Sequence, residues 1–115
     1  MRSFKELKVW LKAHKLVLFI YKITKKFPED EKFGLVSQMR RAAVSIASNI
    51  VEGFHRYSDK VSNNFYDIAD GSIEELKYQL ILSRDLKYLS LGDYDFASGL
   101  SEEVSKMLHA WKNRQ

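Results

Sequence analysis

The stretch Val9-Trp10-Leu11-Lys12-Ala13-His14-Lys15-Leu16-Val17-Leu18-Phe19-Ile20-Tyr21-Lys22-Ile23 decides the fold class. Projected at about 100° per residue, its lysines fall on one narrow face, and apolar side chains cover about three-quarters of the circumference. That is a helix with far more apolar surface than one core requires, since a bundle helix buries a stripe only about 100° wide. The excess is expected to meet another subunit; coverage by neighbouring loops is the plainer alternative. Ser3-Phe4-Lys5-Glu6 has the form of a capping box and sets the helix start. Phe27-Pro28 stops it near Lys26, because the residue before proline is pushed out of the helical region.

Beyond Pro28, an acidic connector to Gly34 has room for one short helical turn. A second helix is expected over residues 35–52, with Gly53 as a left-handed C-terminal cap. Ser58 caps a third over residues 59–89, and Asp93 caps a fourth that runs to near Arg114. On the third helix Val61, Phe65, Ile68, Ala69, Ser72, Leu76, Leu80, Ser83 and Leu86 form the core stripe. Tyr78, Ile81 and Leu82 fall off it. The fourth has a narrow stripe of Phe96, Leu100, Val104, Met107, Leu108 and Trp111. With 5 glycines and 1 proline in 115 residues, the chain has few turns to spend and favours long helices. The expectation is an all-α, antiparallel up-down four-helix bundle, with residues 1–115 in one domain.

Composition narrows the function classes. No cysteine excludes disulfides and thiolate chemistry. No apolar run is long enough to span a bilayer, and the N-terminus has no signal-peptide pattern, so no membrane association is expected and the cytoplasm is the expected compartment. The net charge of +4 hides an asymmetry. Residues 1–60 hold 13 Lys/Arg against 6 Asp/Glu, whereas residues 61–115 hold 6 against 9. A basic half beside an acidic half suits an anionic partner, a head-to-tail self-contact, or both.

The lysine face of the first helix comprises Lys5, Lys8, Lys12, Lys15, Lys22 and Lys26, with Phe19 in the gap. It fits a row of phosphates with an aromatic for base stacking; a solvated lysine face is the competing account. Arg40, Arg41 and Arg56 add planar guanidinium forks suited to phosphate. Arg41 shares a polar face with Ser45 and Glu52, so a structural network explains it equally well. Asp67, Asp70, Glu74 and Asp85 lie on the outer face of the third helix, as a solvated surface or a charge partner for another subunit. Di-metal bundles need inward glutamates and Glu-x-x-His motifs, which are absent. His14, His55 and His109 are scattered, and no phosphate-binding loop, dinucleotide fingerprint or nucleophile elbow occurs. No metal, no cofactor and no enzyme activity are therefore expected.

Phe4-Lys5-Glu6-Leu7-Lys8-Val9-Trp10, Phe27-Pro28, Phe33-Gly34-Leu35 and the block Gln38-Met39-Arg40-Arg41-Ala42-Ala43-Val44-Ser45-Ile46-Ala47-Ser48-Asn49-Ile50-Val51-Glu52-Gly53 resemble a bacterial four-helix-bundle family. That family is encoded within intervening sequences of large-subunit ribosomal RNA genes, and includes the accessory variability determinant of diversity-generating retroelements. Ala47 and Val51 depart from the proline and alanine expected in the block. The resemblance implies a homopentameric barrel. For the retroelement branch it also implies binding to RNA or DNA and to a reverse transcriptase. Arg40, Arg41, Arg56 and the first-helix lysines become the nucleic-acid candidates, and Trp10, Val17, Tyr21, Tyr78, Ile81 and Leu82 the oligomer candidates. A protein–protein scaffold without nucleic-acid function is the alternative.

Overall fold

The computed structural model describes residues 3–113, so the expected helix end at Arg114 lies outside the described residues. Its four α-helices are α1 (Lys8–Thr24), α2 (Leu35–Phe54), α3 (Asp59–Asp85) and α4 (Leu91–Asn113), and no strand occurs among the described residues. Cross-helix contacts fix the directions. Arg40 near the start of α2 meets Thr24 at the end of α1, while Phe4 before α1 meets His55 after α2. Ser45 and Met39 on α2 meet Ser72 and Ser83 on α3 in reverse order. Phe19 and Lys12 on α1 face Phe96 and Glu103 on α4. Each helix thus runs antiparallel to its chain neighbour, α4 returns beside α1, and α1 and α3 stand diagonally opposed.

The bundle measures 43 × 25 × 21 Å. At its centre Leu7, Leu16, Ile20, Met39, Ile46, Ile50, Tyr66, Ile73, Leu76, Leu80, Val104 and Leu108 are fully buried. On α1 the core takes only Val9, Ala13, Leu16, Ile20 and Ile23 with Thr24, leaving Leu11, Leu18 and Tyr21 exposed. The surplus apolar girth read from the sequence is therefore outside the core of this chain.

The helix ends differ in chemistry from the sequence expectation. Ser3 accepts from the Lys5 amide and caps a separate 3-10 turn, Phe4–Glu6, so α1 starts only at Lys8. The acidic connector holds its expected short turn, Glu29–Glu31, and the Glu31 carboxylate accepts from the Leu35 amide at 3.1 Å to cap α2. Gly53 is not a left-handed cap, since no glycine among the described residues has positive φ and α2 continues to Phe54. Ser58 caps α3 through the Val61 amide, as expected. That helix stops four residues early. Lys87 adopts φ 66°, with its amide bonded to Arg84 and the Tyr88 amide to Ser83, the hydrogen-bond pair of a left-handed helix terminus. Ser90, rather than Asp93, caps α4 by accepting from the Asp93 amide at 3.1 Å.

The inward face of α3 is Ser62, Tyr66, Ala69, Ile73, Leu76, Leu80 and Ser83, spaced alternately by four and three residues in the coiled-coil pattern. The expected stripe was right from Ala69 onward and wrong near the start and at Leu86: Val61, Ile68 and Leu86 are exposed. Tyr66 displaces Phe65 because Gly53 opens a slot for its ring, and Ser62 turns inward to donate to the Gly53 carbonyl at 2.8 Å. On α4, Leu100, Val104 and Leu108 are buried as expected, with Ala97 and Ser101. Phe96 is not, being 46% exposed.

Candidate nucleic-acid interface

The lysine stripe is real as a surface. Lys5, Lys8, Lys15, Lys22 and Lys26 are all exposed; Lys8, Lys15 and Lys22 follow the edge of α1 that borders α4, while Lys5 sits in the preceding 3-10 turn and Lys26 just beyond the end of α1. Lys12 is half-buried and pairs with Glu103 of α4 at 2.8 Å, the one ion pair made by the stripe among the described residues. Phe19, in the stripe's gap, stacks obliquely on Phe96 with ring centres 4.6 Å apart. Lys15 lies over the other ring, its ammonium 5.6 Å from the Phe96 centroid.

The three arginines do not join this surface. Arg40 sits in the α1/α2 groove, where Nε donates to Thr24 Oγ1 at 3.0 Å and a terminal nitrogen donates to the Tyr21 carbonyl at 3.3 Å. Its guanidinium also covers the Tyr21 ring, 4.5 Å from the centroid. Arg41 donates to Glu75 of α3 and to Gln38. Arg56 pairs with Glu52 one turn back at 2.6 Å and lies over Phe65. Arg41 and Glu52, which share a face, therefore have separate partners. The structural account of the arginines is the one the contacts favour: each holds two segments together, and the forks are already engaged.

The acids of α3 are also engaged within the chain. Asp67 binds Lys112 of α4, Asp70 binds His109 at 3.0 Å, and Glu74 binds Lys77 at 3.0 Å. Lys77 also reaches Glu102 of α4. Hydrogen bonds that the Lys77 ammonium donates to Glu102 and then Glu74 hold it above its ordinary pKa, and the same Lys77 bond lowers that of Glu102. Asp67 and Asp70 are taken up by α4 side chains and Glu74 by Lys77 of its own helix, which leaves these carboxylates less available for docking a basic face. On α1, exposed Lys8, Lys15 and Lys22 make no ion pair among the described residues.

The oligomer candidates divide between two sides. Trp10, Val17 and Tyr21 line apolar grooves between α1 and α2, with Phe4, His14, Val44, Ala47 and Val51, and Phe33 close by at 88% exposure. Trp10 is stiffened by parallel stacking on His14 at 5.1 Å and by an edge contact with Phe4. Tyr78 and Ile81 are exposed and Leu82 half-buried on α3, the helix diagonally across from α1.

Sequence reasoning missed Phe96, Leu18 and Asp93 as surface groups. They line a shallow groove of about 530 Å³ with Lys15, Phe19 and Lys22. The signal was faint: Phe96 and Asp93 lie three apart on α4 and so share its first exposed turn. Among the described residues no cluster of three or more His, Asp or Glu is placed to hold a metal, and no helix is long and apolar enough to cross a membrane.

A family model described as 23S rRNA-intervening sequence protein matches residues 5–110. The crystal structure of a Bacteroides thetaiotaomicron protein of unknown function, from the S23 ribosomal protein family, superposes with a TM-score of 0.81 at 26% sequence identity. The match covers 90% of this chain and 97% of that one. No curated protein matches in sequence.

Proposed function

Since the chain belongs to the 23S rRNA-intervening sequence protein family, we propose that it is a non-catalytic, oligomeric module that binds the phosphate backbone of RNA or DNA along α1. One observation carries this reading: Lys8, Lys15 and Lys22 lie exposed along one edge of α1, with exposed Lys5 and Lys26 just beyond its two ends, and of this stripe only Lys12 is paired with a carboxylate among the described residues. A solvated helix face ordinarily mixes signs. The arginines are withdrawn from the reading by their contacts, so binding rests on the lysines alone. Assembly of several copies would set several such stripes side by side and raise affinity by multivalency. The specific role suggested by the sequence resemblance is that of an accessory to a reverse transcriptase; co-purification of a reverse transcriptase encoded beside this gene would support it, and a gene lying inside a ribosomal RNA gene would count against it.

The test is a salt series of binding to a single-stranded RNA. Replacing Lys8, Lys15 and Lys22 with glutamine should lower the slope of log affinity against log salt by about 2, at about 0.7 for each phosphate no longer neutralised. An unchanged slope in a variant of unchanged assembly state overturns the reading.

The scaffold alternative draws on the α1/α2 grooves and predicts assembly with no RNA shift at physiological salt. The internal pairing of the α3 acids weakens its charge-docking form.

A further inference from the structure

We propose that the groove between the C-terminal half of α1 and the first turns of α4 is a subsite for one unpaired nucleobase, with guanine preferred. The inference rests on the backbone-binding reading above and assigns it a base-recognition element. Four features converge there. Phe96 offers a half-exposed ring braced from behind by Phe19, which keeps it from collapsing onto the bundle. Leu18, 58% exposed, supplies a second apolar wall. Lys15 and Lys22 flank the rings, spaced two helical turns apart. Asp93 enters from α4, its place in the first turn favoured by the helix dipole.

The decisive detail is that these charges converge without pairing. Asp93 lines the same groove as Lys15 and Lys22, yet it forms no ion pair with either. The groove thus holds an aromatic platform, two ammonium groups and an acceptor-only carboxylate, in a volume of about 530 Å³ within the usual range of small-ligand sites. A nucleotide uses all three. Its base stacks on Phe96 once Lys15 swings off the ring, and its flanking phosphates take Lys15 and Lys22. A carboxylate accepts hydrogen bonds only, so it selects a base edge that presents donors side by side. The guanine Watson–Crick edge does so through N1–H and the exocyclic amine. Adenine and cytosine put a ring-nitrogen acceptor beside their amine, and uracil flanks its single N–H with two carbonyls. A duplex hides this edge, so the site requires an unpaired strand.

Fluorescence anisotropy with two labelled ten-nucleotide RNAs that cannot self-pair, AAGAAGAAGA and A10, a hairpin-free duplex and phosphatidylserine vesicles tests the assignment. The expected results are tighter binding of AAGAAGAAGA than A10 by about fivefold or more, and loss of single-strand affinity by about tenfold in Phe96→Ala with duplex affinity unchanged. Asp93→Asn should erase the guanine preference without weakening A10 binding, because it removes a negative charge from a basic groove. That opposite sign separates it from a folding defect, and helical content by circular dichroism checks both variants. Equal affinity for the two RNAs, or a Phe96→Ala variant that binds as well as the parent, overturns the subsite while leaving lysine-dependent binding intact. Vesicle binding that depends on Leu18 and Phe96 makes the groove a membrane contact and also overturns it. No RNA binding at all overturns both the subsite and the backbone reading.

Discussion

Gly53 on α2 and the ring of Tyr66 on α3 touch so closely that a Cβ on Gly53 would stand 2.4 Å from Cε1 and 2.8 Å from Cδ1. Both residues are buried, and Cζ at 2.9 Å would be struck as well, so the ring has no easy escape. Gly53→Ala should therefore destabilise the bundle by about 1–3 kcal/mol through overpacking, even though alanine is the better helix former. Urea denaturation measures it. Shortening Tyr66 to leucine in the same chain should recover part of the loss, a non-additivity that two unrelated defects would lack.

Arg40 spends its guanidinium on the end of α1. It bonds Thr24 Oγ1, which itself donates to the Ile20 carbonyl at 2.7 Å, and it satisfies the Tyr21 carbonyl in the last turn. Arg40→Ala should cost about 1 kcal/mol of stability, the usual net worth of such bonds. Its RNA affinity at fixed salt should remain within about twofold of the parent, because surface phosphate contacts are made elsewhere. Loss of RNA binding with unchanged stability would restore Arg40 to the binding surface.

How far the sequence foretold this arrangement differs from element to element. The stop before Pro28 and the start at Ser58 were legible because each rests on the chemistry of one or two adjacent residues. The excess apolar girth of α1 was legible because periodicity is a property of a single helix. Gly53 was misread because its role depends on Tyr66, thirteen positions away, and a left-handed cap and a close helix contact both ask for glycine. The same coupling rotated the start of α3, where Ser62 and Tyr66 face inward and the more apolar Val61 and Phe65 do not. The lysine stripe could be read, but the engagement of Arg40 and Arg41 could not, because it is set by which turn of α1 or α3 lies opposite each one.

Stability should fall at both extremes of pH, for reasons that can be assigned. The Lys77 hydrogen bond lowers the Glu102 pKa from its ordinary 4.5, so its contribution is present above that value and lost as pH falls through the folded-state value. Lys77 is raised above 10.5 by Glu102 and Glu74, and its share persists below that and is lost as pH climbs through the folded value. Lys77→Met should thus flatten the drop in melting temperature between pH 5 and pH 3. Tyr88, raised above 10.0 first by its bond to Glu31, adds to the alkaline limb alone. Tyr88→Phe should soften the loss above pH 10 and leave the acid limb unchanged. An unchanged acid limb in Lys77→Met, or equal effects of Tyr88→Phe on both limbs, would refute the assignment.

The proposed assembly has a geometry that mixing experiments can read. Trp10, Val17 and Tyr21, on the α1 side of the α1/α2 grooves, and the patch of Tyr78, Ile81 and Leu82 on α3 lie on helices placed diagonally in the bundle. If the grooves of one copy receive the α3 patch of the next, the contact is head-to-tail and closes into a ring; a groove meeting its own copy would instead stop at a dimer. Val17→Asp should break the groove side and Tyr78→Asp the α3 side, and each variant alone should be monomeric by analytical ultracentrifugation. Mixed at equal amounts, they retain one intact groove and one intact patch, so the head-to-tail arrangement predicts a one-to-one heterodimer and nothing larger. A Tyr78→Asp protein that dimerises by itself would show groove meeting groove, and a mixture that stays monomeric would remove α3 from the interface.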